Sequence, residues 1–162
     1  MRKQKGFSLI ELLIVVAIIL IIAAIAIPNL LRSRIAANES SAVGSMRTIN
    51  TAEVTYASTY PDQGYAGTLT ALATPTTGCP AGGPTSANAC LIDATLAAAT
   101  TTASGKSGYY FTLATNSSVG YSLNGDATNQ GSSGVKHFYT DATGVIHYNS
   151  AAAAGSADSA IQ

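Results

Sequence analysis

From Leu12 to Leu31 the chain carries no charged side chain, and apart from Pro28 and Asn29 every residue there is Leu, Ile, Val or Ala. A bilayer core of about 30 Å takes roughly 20 apolar residues in helix. This stretch is long enough to cross one. Read from Phe7 to Leu31, it is interrupted only by Ser8, Glu11 and the Pro28-Asn29 pair. Arg2, Lys3 and Lys5 precede it, and a basic leader of this kind stays on the cytoplasmic side. A secretory signal peptide is the competing reading, since Ala24 and Ala26 loosely supply a small-residue cleavage site. Glu11 stands in the wrong place for a signal of that class.

A carboxylate one turn inside an apolar segment is costly when unpaired. Glu11 therefore implies a partner, unless it snorkels to the membrane interface. A cut between Gly6 and Phe7 would create an amine four residues before Glu11, on the same helix face. Such an amine has an ordinary pKa near 8, roughly, and is cationic at neutral pH. The same cut removes Arg2, Lys3 and Lys5, taking the formal charge balance from zero to minus three.

The string Gly6-Phe7-Ser8-Leu9-Ile10-Glu11-Leu12-Leu13-Ile14-Val15-Val16 resembles the processing and assembly segment of type IV prepilins, of the short-leader kind. The likeness is specific over residues 1–35 and rests on architecture alone beyond them. It implies that a prepilin peptidase cuts after Gly6 and N-methylates Phe7. It implies that Glu11 pairs with the terminal amine of a neighbouring subunit as a filament grows. The family also keeps a proline at the position of Pro28, and its filaments partly unwind the helix between that proline and an upstream glycine. Here the glycine position is Leu20, a strong helix former. Independently of the family, Pro28 lacks an N–H and cannot bond back to Ala24, which predicts a kinked or loosened helix.

From Asn29 to Tyr60 the pattern is helical and amphipathic. Met46, Ile49, Ala52 and Tyr56 recur at three- and four-residue steps, with Ile35 and Val43 near the same stripe. Arg32, Arg34, Glu39, Arg47 and Glu53 are expected on the polar faces. Tyr60-Pro61-Asp62-Gln63-Gly64 is a stop signal. One helix is therefore predicted from Phe7 to Tyr60, about 80 Å long at 1.5 Å per residue. It is too long to bury within a chain of this size. Residues 7–31 need lipid or other copies of the chain, whereas 32–60 can lay their stripe under a sheet. A long coiled coil is disfavoured because the stripe lacks sustained heptads.

Residues 61–162 read as a small head. Asp62 to Gly108 is loop-rich, with a turn of helix at Thr68–Leu72 and a short helix within Leu91–Ala99. Cys79 and Cys90, eleven residues apart, bracket the run PAGGPTSANA. A head outside the cytoplasm favours a disulfide between them, with two free thiols or half a metal site as alternatives. Strand patterns at Tyr109–Leu113, Val119–Leu123, Lys136–Thr140 and Val145–Tyr148, joined by short polar connections, predict a four-stranded antiparallel meander. The Ala- and Ser-rich tail from Ser150 is expected to be poorly ordered. The fold class is α+β: a long N-terminal helix packed on a small antiparallel sheet.

Only 10% of the residues are charged, against about a quarter in ordinary soluble domains. With zero net charge and no basic run beyond the leader, no nucleic-acid partner is expected. No metal or other cofactor is expected either, because His137 and His147 stand apart and the acids, Asp126 and Asp141 included, form no EF-hand loop. Both histidines read as polar residues on a solvent face. Asn38 and Asn116 each head an N-x-S triplet, a weak modification signal. No catalytic constellation is present. The resemblance thus implies a non-enzymatic subunit of a type IV pilus (a fimbrium), most like a major pilin. Its partners would be copies of itself, the prepilin peptidase, and an assembly platform and ATPase. It would wait in the bacterial inner membrane as a single-pass precursor and end in an extracellular pilus, with adhesion and twitching motility among the family's roles. The alternatives are a pseudopilin of a type II secretion system and a DNA-uptake or adhesin-type minor pilin.

Overall fold

Helix α1 spans Leu9–Thr59 in the computed structural model, which describes residues 7–115 and 120–161. Its start is set two residues later than periodicity predicts, because Ser8 serves as the cap. The chain divides into two compact units, Met1–Arg34 and Ile35–Gln162. In the first unit the large apolar side chains from Phe7 to Leu31 are exposed. The helix runs unbroken through Pro28, so the expected loosening does not interrupt it.

In the second unit the expected stripe is the helix's buried face. Ala42, Met46, Ile49, Ala52 and Tyr56 are buried, and Val43 packs partly against the same core. The following segment contains α2 (Leu69–Leu72), capped by Thr68, and α3 (Ala94–Ala98), capped by Asp93. Strands β1 (Tyr109–Thr115), β2 (Tyr121–Ala127), β3 (His137–Asp141), β4 (Ile146–Asn149) and β5 (Ser159–Ala160) form one antiparallel sheet in sequential order. Alternation fixes the inward face: Tyr109 and Phe111, Tyr121 and Leu123, Phe138 and Thr140, then Ile146 are buried. The β3–β4 hairpin turns on Asp141, whose carboxylate accepts from the Thr143 N–H and hydroxyl, and on Gly144 at φ +75°.

Three features depart from the sequence expectation. Strand β2 continues through Asn124, Gly125 and Asp126, residues with turn character. At Gly125 a Cβ would stand 3.2 Å from the Met46 sulfur and 3.3 Å from the Phe111 ring, so the missing side chain is what lets α1 approach the sheet. Glu53 is fully buried instead of lying on a polar face. The tail from Ser150 is ordered as far as a fifth strand, giving five strands rather than four. Val119, assigned to a strand from the sequence, lies outside the described residues.

Asp158 organises that tail. One of its carboxylate oxygens accepts from Asn149 Nδ2 at 2.9 Å and the other from the Gly155 N–H at 2.8 Å. Its backbone carbonyl bonds His147 Nδ1 at 2.8 Å, and the Ile161 N–H donates to the Ile146 carbonyl at 2.7 Å. Removing the carboxylate leaves two donors without their acceptor, a cost of about 1–3 kcal/mol. Asp158→Ala should therefore strip hydrogen-exchange protection from the Ile161 amide while leaving the β2–β3 amides protected. Unchanged protection at Ile161 would mean that packing alone holds β5.

Candidate functional site

At the N-terminal end the first four amides of a helix need acceptors from outside it. Ser8 supplies the capping geometry. Its carbonyl accepts from the Leu12 N–H at 3.3 Å, and its own N–H donates to Glu11 Oε2 at 2.8 Å. Ser8-Leu9-Ile10-Glu11 has the S-x-x-E spacing of a capping box, and Glu11 makes its half of it by reaching back to the Ser8 N–H. By its type alone Glu11 is an apolar-segment carboxylate in need of a partner. The S-x-x-E spacing was the signal for a second, local role. A carboxylate in the first turn is also favoured by the helix dipole. With residue 6 attached, the Phe7 nitrogen is an amide, so this cap is what the uncut chain offers Glu11. Phe7 is 82% exposed, open to whatever acts at its peptide bond. Gly6 and the rest of the leader lie outside the described residues.

Pro28 sits inside α1, where Ala24 loses its bonding partner one turn earlier. Cys79 and Cys90 are bonded as a disulfide with Cα atoms 6.0 Å apart. The base of their loop is stitched to the α2 segment by Ala89 N–H to Ala71 O, Cys90 N–H to Ala73 O and Leu91 N–H to Leu72 O. The residues between the cysteines are mostly exposed. These features lie in separate places: Phe7, Glu11 and Pro28 in one unit, the disulfide in the other.

Both histidines lie on the face of the sheet opposite its buried residues, as the sequence suggests, and each has a hydrogen-bond partner there. His137 Nδ1 lies 2.6 Å from Asp126 Oδ1 across β2 and β3, and both side chains are largely covered. His147 bonds the Asp158 carbonyl. In the β3–β4 register His147 faces Tyr139 and His137 faces Asn149, so the two histidines are not directly opposed. Among the described residues no group of three or more His, Cys, Asp or Glu stands close enough to hold a metal ion. Asn38, a candidate modification site, spends its amide on the Ser133 carbonyl at 2.7 Å, and Asn116 lies outside the described residues. Glu39 accepts from the Val135 and Lys136 amides and pairs with the Lys136 ammonium at 3.2 Å. Among the described residues, each of these polar groups holds a contact within the head.

An α+β chain whose apolar N-terminal helix opens on a carboxylate-bearing cap is the class that fold and site define. Residues 1–27 match the prokaryotic N-terminal methylation motif. Over 40 residues the chain is 65% identical to the type IV wide pilus major component PilA4 of Thermus thermophilus, a match covering 25% of this chain and 30% of that one. Over 54 residues it is 44% identical to the type IV major pilin protein PilA of Myxococcus xanthus, covering 33% and 24% respectively. The matched regions thus span less than a third of either relative's length. No solved structure gives a significant match.

Proposed function

We propose that this chain is a structural subunit of a type IV pilus. It is held in the bacterial inner membrane by residues 7–31, trimmed after Gly6 and N-methylated at Phe7 by a prepilin peptidase, then stacked by an assembly platform and ATPase into an extracellular filament of its own copies. The observation that carries the reading is the coincidence of the Gly6-Phe7 junction, Glu11 in the first helical turn, and the uncharged run beyond it. An apolar segment that exposes Phe7 to Leu31 requires lipid or other apolar helices around it, and a filament core provides the second once the first is left. Loss of the cationic leader removes the charges that hold this end at the cytoplasmic surface. Such a subunit works by assembly and has no substrate to turn over.

The test is the intact mass of subunits sheared from the cell surface. The expected mass is that of a chain beginning with N-methyl-Phe7, carrying one disulfide. Gly6→Val should leave the uncut precursor in the membrane, since a side chain there obstructs close approach to the backbone. Filament subunits that retain Met1, or that begin near Ala26, would refute the proposal.

A further inference from the structure

Of the described buried side-chain polar atoms, only Glu53 Oε1 has no hydrogen-bond partner. Glu53 is fully buried on α1, and its other oxygen accepts the Ala66 N–H at 2.8 Å. Ala66 is itself fully buried, whereas Pro61, Asp62 and Gln63 before it are exposed. That segment turns on the Tyr60 carbonyl, which accepts from Gln63 and Gly64, and its Tyr65 ring rests 5.0 Å from Tyr121 of β2. A single side-chain oxygen thus ties the chain leaving α1 back onto α1. The neutral acid buries one unpaired hydroxyl here, a smaller cost than a carboxylate shut away from water with a single donor.

We propose that Glu53 is a proton-operated latch: protonated, it holds the Tyr60–Gly67 segment closed over α1, and ionised, it drives that segment to open and admit water.

The surroundings leave the ionised form without help. The ionisable groups coupled to Glu53 by charge are Tyr56 on α1 and Tyr121 on β2, each of which its carboxylate pushes up. Neither is a cation that could stabilise the ionised form. Burial pushes the Glu53 carboxyl up to about 7, opposed only by the Ala66 N–H. In the closed state the group keeps its proton to that value, whereas in an open state it ionises from an ordinary value of about 4.5 upward. Stability of the closed state is therefore complete below about pH 4.5, falls as pH rises through the interval, and levels off above about 7. Asp93 and Asp141 ionise below the usual range, held there chiefly by the Thr95 and Thr143 hydroxyls, and so do not titrate in the same window.

The experiment is amide exchange of the full chain in detergent micelles at pH 5.5 and 8.0, corrected for the intrinsic chemical rate. Peptides covering Tyr60–Leu69 are compared with peptides from the Ala42–Ile49 part of α1. The expected result is roughly a 30-fold loss of protection in the segment at the higher pH, with little change in the reference, as the two proton affinities dictate. In Glu53→Gln the segment's protection should be the same at both pH values. Equal protection in the unaltered chain at both pH values would overturn the proposal, as would a Glu53→Gln variant that keeps the pH dependence. Should that variant fail to fold, infrared spectra of the unaltered chain decide. A protonated-carboxyl band present at pH 6 and absent at pH 8.5 supports the latch, and its absence at pH 6 refutes it.

Discussion

Glu11→Ala should leave the chain inserted in the membrane and reduce filament yield by at least about 100-fold. Insertion is expected to persist because the substitution removes a charge from an apolar segment. Assembly is expected to fail because the amine of an incoming Phe7 then meets no carboxylate where water is excluded. Breaking a buried ion pair from one side costs roughly 3–5 kcal/mol, which is two to three and a half powers of ten. The capping box adds a second effect to separate out, since Ala also removes the acceptor for the Ser8 N–H. Losing a helix cap of this kind costs about 1 kcal/mol. Glu11→Gln resolves the two, because its amide oxygen still accepts the Ser8 N–H but carries no charge. If charge pairing governs assembly, Gln and Ala fail alike. Normal filaments from Gln with none from Ala would assign the defect to the cap, and normal filaments from both would discard the pairing argument. Sheared filament yield against the membrane pool is the measurement.

The second large effect concerns the Cys79–Cys90 bond. Between the cysteines the chain has Gly82 and Gly83, two prolines and small polar residues, and it offers little apolar surface with which to order itself. Closing a loop of this size restricts the unfolded chain by about 3 kcal/mol. For a head of this size that corresponds to roughly 10 °C in melting temperature. The full chain in detergent should melt lower by about that amount when reduced, or as a Cys79→Ser/Cys90→Ser pair. A calcium chelator should produce no shift, since the C-terminal segment is held by Asp158 through Asn149 and Gly155. A chelator shift without a reductant shift would reverse this account of what holds the head together.

The buried Glu53 shows how far residue type alone misleads. On a helical wheel Glu53 falls between Asn50 and Tyr56, both buried, yet its charge argued for the polar face. Only the course of the chain after Pro61, which brings the Ala66 N–H to it, makes burial tolerable. His137 acquired a carboxylate from the neighbouring strand, which depends on a register that no local pattern specifies. The Ser8–Glu11 cap, by contrast, was present in the spacing of the sequence.

What the sequence by itself determined is what rests on local rules. Uncharged length set the apolar helix, three- and four-residue steps set the buried stripe from Met46 to Tyr56, Pro61 set its end, and alternation located the strands. What the tertiary structure decided is what depends on residues distant in the chain. Strand β2 runs through Gly125 because Met46, far earlier in the chain, occupies the space a side chain would need. The tail becomes β5 because Asp158 finds Asn149 and Ile161 finds Ile146. Helix α1 carries Asn50 into the core because Thr140 and Tyr121 meet its amide. In each case a weak local preference was overruled by a contact whose partner the local sequence does not contain, since the free energy of burial and hydrogen bonding is collected only when the chain has closed on itself.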